Sequence, residues 1–425
     1  TMTPQQMESQ EALLLGIAAH QSGAPETALG YYLKAISADP TRVEILLNIG
    51  AALHDTEQFF DALDAYDRAL ELNPEWGEVL LNRGNTLLEV GRYAEAIESY
   101  SRGFALMPEH VEALVTIGTA LEHLGRYDEA VQNYREAIGR KPDCAEAHWN
   151  LALAMLRQGR FEEGWQEFEW RWFKRGYTTP RREFSQPLWD GRPLDGDTIL
   201  VHSEQAFGDT LQFCRFIPFI LARGGKVLLE APCELLTLLS TLEGVNSVIP
   251  TGSKLPEFQW QVPLLSLPRI FGTTLSTLPA EVPYLRIPTS RKDIWRKRLG
   301  HDSSFRIGLV WGGRKRPDPR RSCRLLDFAP LAGLKGVSFY SLQVGDGADE
   351  AAKPPTGMCL IDTTSFINDF ADTAALVSEL DLVITIDTAM AHLSGALGRP
   401  TFVMIPAAPD WRWMLGRSDS PWYPS

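Results

Sequence analysis

Residues 75–108 read EWGEVLLNRGNTLLEVGRYAEAIESYSRGFALMP, and residues 109–142 read EHVEALVTIGTALEHLGRYDEAVQNYREAIGRKP. Aligned, the two 34-residue stretches share Gly-Arg-Tyr at one offset, a closing Pro, a central Gly, and an Ala and a Tyr in the second half. The register extends outward from them. Pro40, Pro74, Pro108 and Pro142 are each 34 residues apart, and Ala28, Ala62, Ala96 and Ala130 keep that period, with Gly164 next. Gly16, Gly50, Gly84, Gly118 and Ala152 form a third column, and Tyr32, Tyr66, Tyr100, Tyr134 and Phe168 a fourth. Gly91, Gly125 and Gly159 form a fifth. Each unit reads as two amphipathic helices, the first carrying its small residue where the second crosses it. The turn is Gly-Arg-Tyr or Gly-Arg-Phe, and Pro ends the second helix because it cannot continue one. A single pair cannot bury its own apolar face, so about five pairs stack into a solenoid with a concave surface.

This period and these columns identify the tetratricopeptide repeat. One column asks for more than packing. Asn48, Asn82 and Asn150 stand two positions before the small residue of the first helix, with Thr116 in the same column and Leu14 breaking it. The first helix of such repeats lines the inner groove, where an amide both donates to and accepts from one peptide unit, at about 1 kcal/mol net each. The column resembles the asparagine ladder of O-linked N-acetylglucosamine transferase repeats, which implies an acceptor polypeptide held by its backbone. The alternative is that Asn merely suits this helix position.

Charge divides the chain at the same place. Residues 1–180 hold 28 Asp and Glu against 15 Lys and Arg, while the other 245 residues are balanced within a net charge of −13. Binding a nucleic-acid backbone needs a basic face, so no nucleic-acid partner is expected. No apolar run reaches membrane-spanning length, and no apolar signal core opens the chain. Five cysteines without CxxC or metal-like spacing fit a reduced, cytoplasmic protein. Groove acids favour an acceptor poor in negative charge.

The period ends after Gly159. A tryptophan-rich helix over 161–176, with Trp165, Trp170 and Trp172, is expected to cap the solenoid and dock it to the next domain. Residues 177–197, rich in Pro and Gly, read as a linker. Short apolar runs then alternate with helical stretches. Strands are expected at 198–202, 226–230, 247–250, 306–311, 337–342, 382–386 and 401–405, and helices at 209–223, 291–299 and 372–380. The polar span 285–304 separates two parallel sheets. The fold class is thus an α solenoid followed by an α/β region of two Rossmann-like lobes. Its domains are 1–176 for the solenoid with its cap, 177–197 for the linker, 198–290 for the first lobe and 291–425 for the second. Ligands bind between the carboxyl ends of such strands.

Three segments carry the chemistry. After the first strand, Gly208 permits a tight turn and Asp209 opens a helix at the cleft, as a cap, a base or both. No GxGxxG stands there, which argues against a dinucleotide oxidoreductase. After the strand at 382–386 come Asp387, Thr388, Ala389, Met390, Ala391 and His392, a new helix start whose free N–H groups suit a diphosphate. After the strand at 306–311, Gly312-Gly313 is followed by Arg314, Lys315, Arg316, Arg320, Arg321 and Arg324, either a solvated basic loop or an anion clamp.

Residues 198–425 resemble the GT-B glycosyltransferases of the ADP-heptose:lipopolysaccharide heptosyltransferase superfamily. The likeness rests on Phe207 to Leu211, on Gly308 to Trp311 and on Asp387 to Pro400. With Phe370 to Ala374 and the ending Pro409 to Trp413 and Asp419 to Pro424, the whole chain is similar to bacterial repeat-containing glycosyltransferases. Those modify proteins, flagellin among them, and usually continue past the Trp-Tyr-Pro ending with a closing helix. Heptosyltransferases carry Gly where this chain has Ala389, which is compatible with phosphate binding and weighs against a heptose donor.

The resemblance implies inverting transfer with no metal and no cofactor beyond a nucleotide-sugar co-substrate. It makes Asp209 the general base. Arg314, Arg321, Thr388 and Ala389 would serve the donor phosphates, with Asp387 fixing the loop and capping the helix. Gln343 is assigned to base or ribose, and His392 to phosphate or to a structural role. Asn48, Asn82, Thr116 and Asn150 would hold the acceptor peptide. Two other readings stand beside this one: a protein-interaction scaffold with an inactive transferase domain, and a glycosyltransferase for a glycan or lipid-linked acceptor.

Overall fold

The computed structural model describes residues 2–313 and 321–425. Its two compact units divide at Ala154/Met155. The first holds α1 (Pro4–Gln21), α2 (Pro25–Ala38), α3 (Glu44–Asp55), α4 (Phe59–Leu72), α5 (Gly77–Glu89), α6 (Tyr93–Leu106), α7 (Glu112–His123), α8 (Tyr127–Arg140) and most of α9 (Ala145–Arg157). Two of the sequence columns are one contact. A Cβ added at Gly16, Gly50, Gly84 or Gly118 would stand 2.5, 2.3, 2.7 or 2.4 Å from the ring of Tyr32, Tyr66, Tyr100 or Tyr134. Only glycine lets the paired helices approach so closely, and the rings fill the space left. The Ala column at 28, 62, 96 and 130 is fully buried. Gly91 and Gly125 end their helices with φ of +76° and +73°, a conformation that costs a side-chain-bearing residue roughly 1–2 kcal/mol. Glu57 occupies the equivalent turn at φ +60°.

The second unit opens with the end of α9 and with α10 (Phe161–Phe168), followed by a 3-10 turn at Glu169–Phe173. It therefore takes in the tryptophan-rich segment, and the division falls earlier than the 176/177 boundary expected from the sequence. Aromatic packing is the reason. Trp165 meets the rings of Phe213, Trp411 and Trp422 at 6.2, 5.4 and 6.4 Å between centroids. Arg171, fully buried, donates two hydrogen bonds of 2.9 Å to the buried Glu204 carboxylate, which also accepts from Tyr177 at 3.0 Å. The stretch read as a linker is likewise part of this unit. Leu188 bridges Gln261 in parallel, and Trp189 is completely buried.

The first sheet comprises β1 (Thr198–His202), β2 (Lys226–Ala231), β3 (Val245–Pro250) and β4 (Trp260–Pro263), parallel in the order β3-β2-β1-β4. Between them lie α11 (Phe207–Phe213), α12 (Ile217–Leu221) and α13 (Leu236–Leu239), with α14 (Leu267–Ile270) after β4. The helix expected at 209–223 is broken by a 3-10 turn at Cys214–Phe216, because Pro218 has no N–H to continue an unbroken ladder. α15 (Thr289–Leu299) leads to the second sheet. That sheet comprises β5 (Phe305–Leu309), β6 (Val337–Ser341), β7 (Leu360–Asp362), β8 (Leu382–Ile386) and β9 (Thr401–Met404), parallel in the order β7-β6-β5-β8-β9. α16 (Phe370–Ser378) precedes β8, and α17 (Ala389–Ala396) joins it to β9. β4 and β7 were not expected: both are short edge strands, one with Gln261 and Pro263 in place of an apolar run. No helix among the described residues is long and apolar enough to cross a membrane.

The glycine–tyrosine contact is testable. Gly118→Val should destabilise the first unit by about 1–3 kcal/mol through overpacking, and Glu57→Gly should stabilise it by about 1 kcal/mol by relieving the left-handed turn. Urea unfolding followed by helical circular dichroism measures both, and a neutral Gly118→Val would contradict the packing assignment.

Candidate functional site

Each sheet reverses its strand order once, between β1 and β4 and between β5 and β8. Ligands of open α/β sheets bind beyond the carboxyl ends of strands at such reversals. In the second unit the loops after β1, β5, β6 and β8 enclose one cavity of about 620 Å³. That is a usual size for a small-molecule site.

On the first-sheet side, the chain leaves β1 through Gln205 at φ +65° and enters α11. A Cβ on Gly208 would lie 2.9 Å from His392 Cδ2 and 3.4 Å from Ala389 Cα, so glycine lets the start of α11 touch α17. Asp209 lines the cavity. Its Oδ2 accepts the Ala206 N–H at 3.1 Å, and its Oδ1 accepts from the Arg412 guanidinium. Arg412 also donates to Gln212 Oε1 and to Asp410 Oδ1, both at 2.8 Å. Burial pushes the Asp209 carboxyl upward, and Arg412 opposes it.

On the second-sheet side, Thr388 and not Asp387 caps α17, accepting the Met390 N–H at 3.3 Å, because the helix begins one residue later, at Ala389. Among the described residues the Ala389 N–H meets no acceptor and stands at the cavity wall. Arg321 lines the same wall, with Nε 3.5 Å from where a Gly313 Cβ would sit. Arg324 turns instead to Asp327 at 2.9 Å. Arg314, Lys315, Arg316 and Arg320 lie outside the described residues. Gln343 is 2% exposed. Its Oε1 accepts from the Trp311 and Gly312 N–H groups, and its Nε2 donates to the Gly312 and Asp346 carbonyls. With both ends of the amide engaged, Gln343 braces two loops and shapes the wall. His392 bonds Tyr423 through Nδ1 at 2.9 Å and stacks on Trp413 at 5.6 Å. Burial first, then Arg412 and Arg215, hold it well below its ordinary pKa, so it is neutral. Asp387 is pushed up to about 6 by burial and by Asp410, against the pull of Arg412, Trp413 and Arg321.

In the first unit the ladder residues are half-buried. Asn48 Nδ2 donates to the Glu44 carbonyl at 3.3 Å, Thr116 Oγ1 to the Glu112 carbonyl at 3.0 Å, and Asn150 Nδ2 to Thr119 Oγ1 at 3.5 Å. The first two bonds run back along their own helix.

Residues 47–109, 81–143 and 115–169 match the tetratricopeptide repeat. The chain carries tetratricopeptide repeats. Protein FlbA of Caulobacter vibrioides is 27% identical over 290 residues, covering 61% of this chain and 48% of that protein. The chain thus spans about half the length of the curated relative it matches. Among solved structures, a crystal structure of MamA is 25% identical with a TM-score of 0.35, over 37% of this chain and 91% of that one. A tetratricopeptide repeat protein from Parabacteroides merdae is 22% identical with a TM-score of 0.36, over 39% and 65%.

Arg412 and Asp410 stand in the ending motif, where the sequence points to no role for either. Arg412 meets Asp209 across 203 residues of chain, so no local spacing announces the pair. Asp372, in the motif from Phe370 to Ala374, is a structural acid. It accepts from Arg291 Nη1 at 2.8 Å and from Trp295 Nε1, the Asn368 N–H and Asn368 Nδ2, each at 3.0 Å.

The state of Asp387 leads to a pH-dependent prediction. Its folded pKa, raised from 3.8 to about 6, means that the folded chain binds this proton more tightly than the unfolded chain. The group's contribution therefore falls as pH rises through that window and is least favourable above it. Asp387→Asn should stabilise the second unit by about 1–3 kcal/mol at pH 7.5 and be nearly neutral below pH 4. Ten of the 12 tryptophans lie in that unit, so fluorescence-monitored unfolding at the two pH values reads it. An equal effect at both would contradict the assignment.

Proposed function

We propose that this chain is an inverting, metal-independent glycosyltransferase of the GT-B kind. It moves a sugar from a nucleotide-sugar donor to a Ser or Thr hydroxyl of a protein held by the tetratricopeptide repeats, and flagellin is a candidate acceptor. One observation carries the reading. Two parallel sheets direct their strand-order reversals at a single cavity, with a carboxylate on one wall and an open helix start beside an arginine on the other.

That arrangement supports one displacement. The acceptor hydroxyl oxygen bonds to the anomeric carbon from the side opposite the donor phosphate, and the bond from that carbon to the phosphate oxygen breaks. The hydroxyl proton passes to Asp209. The departing nucleotide gains charge on its phosphate, where the Ala389 N–H, the start of α17 and Arg321 can meet it. Gly312 lets the loop after β5 pack on the Asp346 carbonyl, where a Cβ would stand 2.7 Å away, and Gln343 keeps that loop in place at the cavity wall.

A scaffold with an inactive transferase domain is the second reading, favoured by the repeat match itself. Calorimetry with nucleoside diphosphates and their sugar conjugates separates the two, because a pure scaffold binds none. Asp209→Asn should lower transfer by about 10²–10⁴-fold while nucleotide affinity survives. Full activity in that variant would remove Asp209 from the chemistry. Replacing Asn48, Asn82 and Asn150 together with Ala should weaken acceptor-protein binding by about 1–3 kcal/mol and spare donor hydrolysis. Unchanged acceptor affinity would mean the column serves the helices alone.

A further inference from the structure

We infer that Arg412 is the positioning residue of this site: from the tail after β9 it holds the Asp209 carboxylate in place, as an anion, at the cavity wall. The inference rests on the transferase reading for its catalytic meaning and on geometry for the pairing itself.

Arg412 is held on three sides. Its Nε meets Gln212 on α11, one arm of the fork meets Asp410, and the other meets Asp209. The Trp411 ring lies 4.4 Å below its Cζ, and the Arg412 N–H donates to the same Asp410 oxygen at 3.0 Å. The Arg412 and Asp209 side chains are 15% and 13% exposed, so the pair is little screened by water. The planar guanidinium spreads its donors in a fixed fork that reaches all three acceptors, a geometry a compact ammonium does not reproduce.

The surroundings of Asp209 make this contact decisive. From its own loop it receives the Ala206 N–H, which suffices for a helix cap. The charged groups facing it are Glu204 from the loop after β1, and Asp410 and Arg412 from the tail. Glu204 is already spanned by Arg171, and the neighbouring His392 on α17 is neutral. Among the described residues Arg412 is the one cation bonded to Asp209. Without it, burial and the neighbouring acids favour the protonated acid, which cannot take a proton from the acceptor hydroxyl.

The test compares the full chain with Arg412→Gln and Arg412→Lys. Carbon-13 NMR of the aspartate carboxyls, with the Asp209 signal assigned through Asp209→Asn, should give a higher titration midpoint for Asp209 in Arg412→Gln. Arg412→Lys, which keeps the charge and loses the fork, should fall between that variant and the parent, and it carries the test alone if the Gln variant does not fold. In transfer assays the acidic limb of the pH profile should move to higher pH, with about a 10²-fold loss near neutrality for Arg412→Gln. A purely structural arginine would lower the melting temperature and leave both the midpoint and the limb in place, and that result overturns the inference. A moved midpoint in a chain that transfers no sugar with any donor supports the pairing and overturns the transferase reading. Transfer with an unmoved limb does the reverse.

Discussion

The second unit turns on one close approach, the start of α11 against the start of α17 at Gly208. A methyl group there would press on the His392 ring, 2.9 Å away, and lie in contact with Ala389 Cα. That contact brings the loop after β1 alongside the loop after β8, and so makes one cavity out of the ends of two separate sheets. The tail reinforces it. Tyr423 bonds His392, Trp413 stacks on the same ring, and the Trp422 carbonyl accepts from the buried Arg215 at 2.7 Å. Residues from both ends of the unit therefore fix the distance between Asp209 and the Ala389 N–H.

Charge inside this cavity is set by burial as much as by residue type. Asp209, Asp387 and Asp410 crowd one region and share the field of Arg412. Holding carboxylates close together away from water costs stability, and such costs concentrate where chemistry is done. His392, next to them, is kept neutral by the same low-dielectric setting and by two arginines. A neutral imidazole there meets the Tyr423 hydroxyl at Nδ1 and stacks on Trp413 while lining the cavity.

Much of the fold was legible in the sequence, because periodicity reports packing directly. The Gly and Tyr columns each recur every 34 residues since each pair is a single contact, and the turn glycines recur since each takes a left-handed φ. The buried strands were visible as apolar runs, whereas β4 and β7, short and at sheet edges, carried no such signal. The boundary at 154/155 was not legible, because it depends on Trp165 meeting Trp411 and Trp422, contacts that span most of the unit. The site was readable where it follows from local chain geometry, as for a helix starting directly after β8 and Asp209 standing in the first turn of α11, but the cap of α17 fell one residue later than expected, on Thr388 and not on Asp387. It was unreadable where the role is a long-range partnership. Arg412 stands in the sequence as one residue of an ending motif, and no local spacing announces that the Gln343 amide joins two loops.

The central claim is that the cavity of the second unit takes a nucleotide by its phosphates at the start of α17. Amide-resolved NMR of the chain titrated with nucleoside diphosphates and with their sugar conjugates addresses it most directly. The account predicts saturable shifts of the Ala389, Met390 and Gly313 amides with at least one nucleotide, while the amides of the first unit stay still. Amides at 313 and 389–390 that no nucleotide moves at millimolar concentration would contradict it.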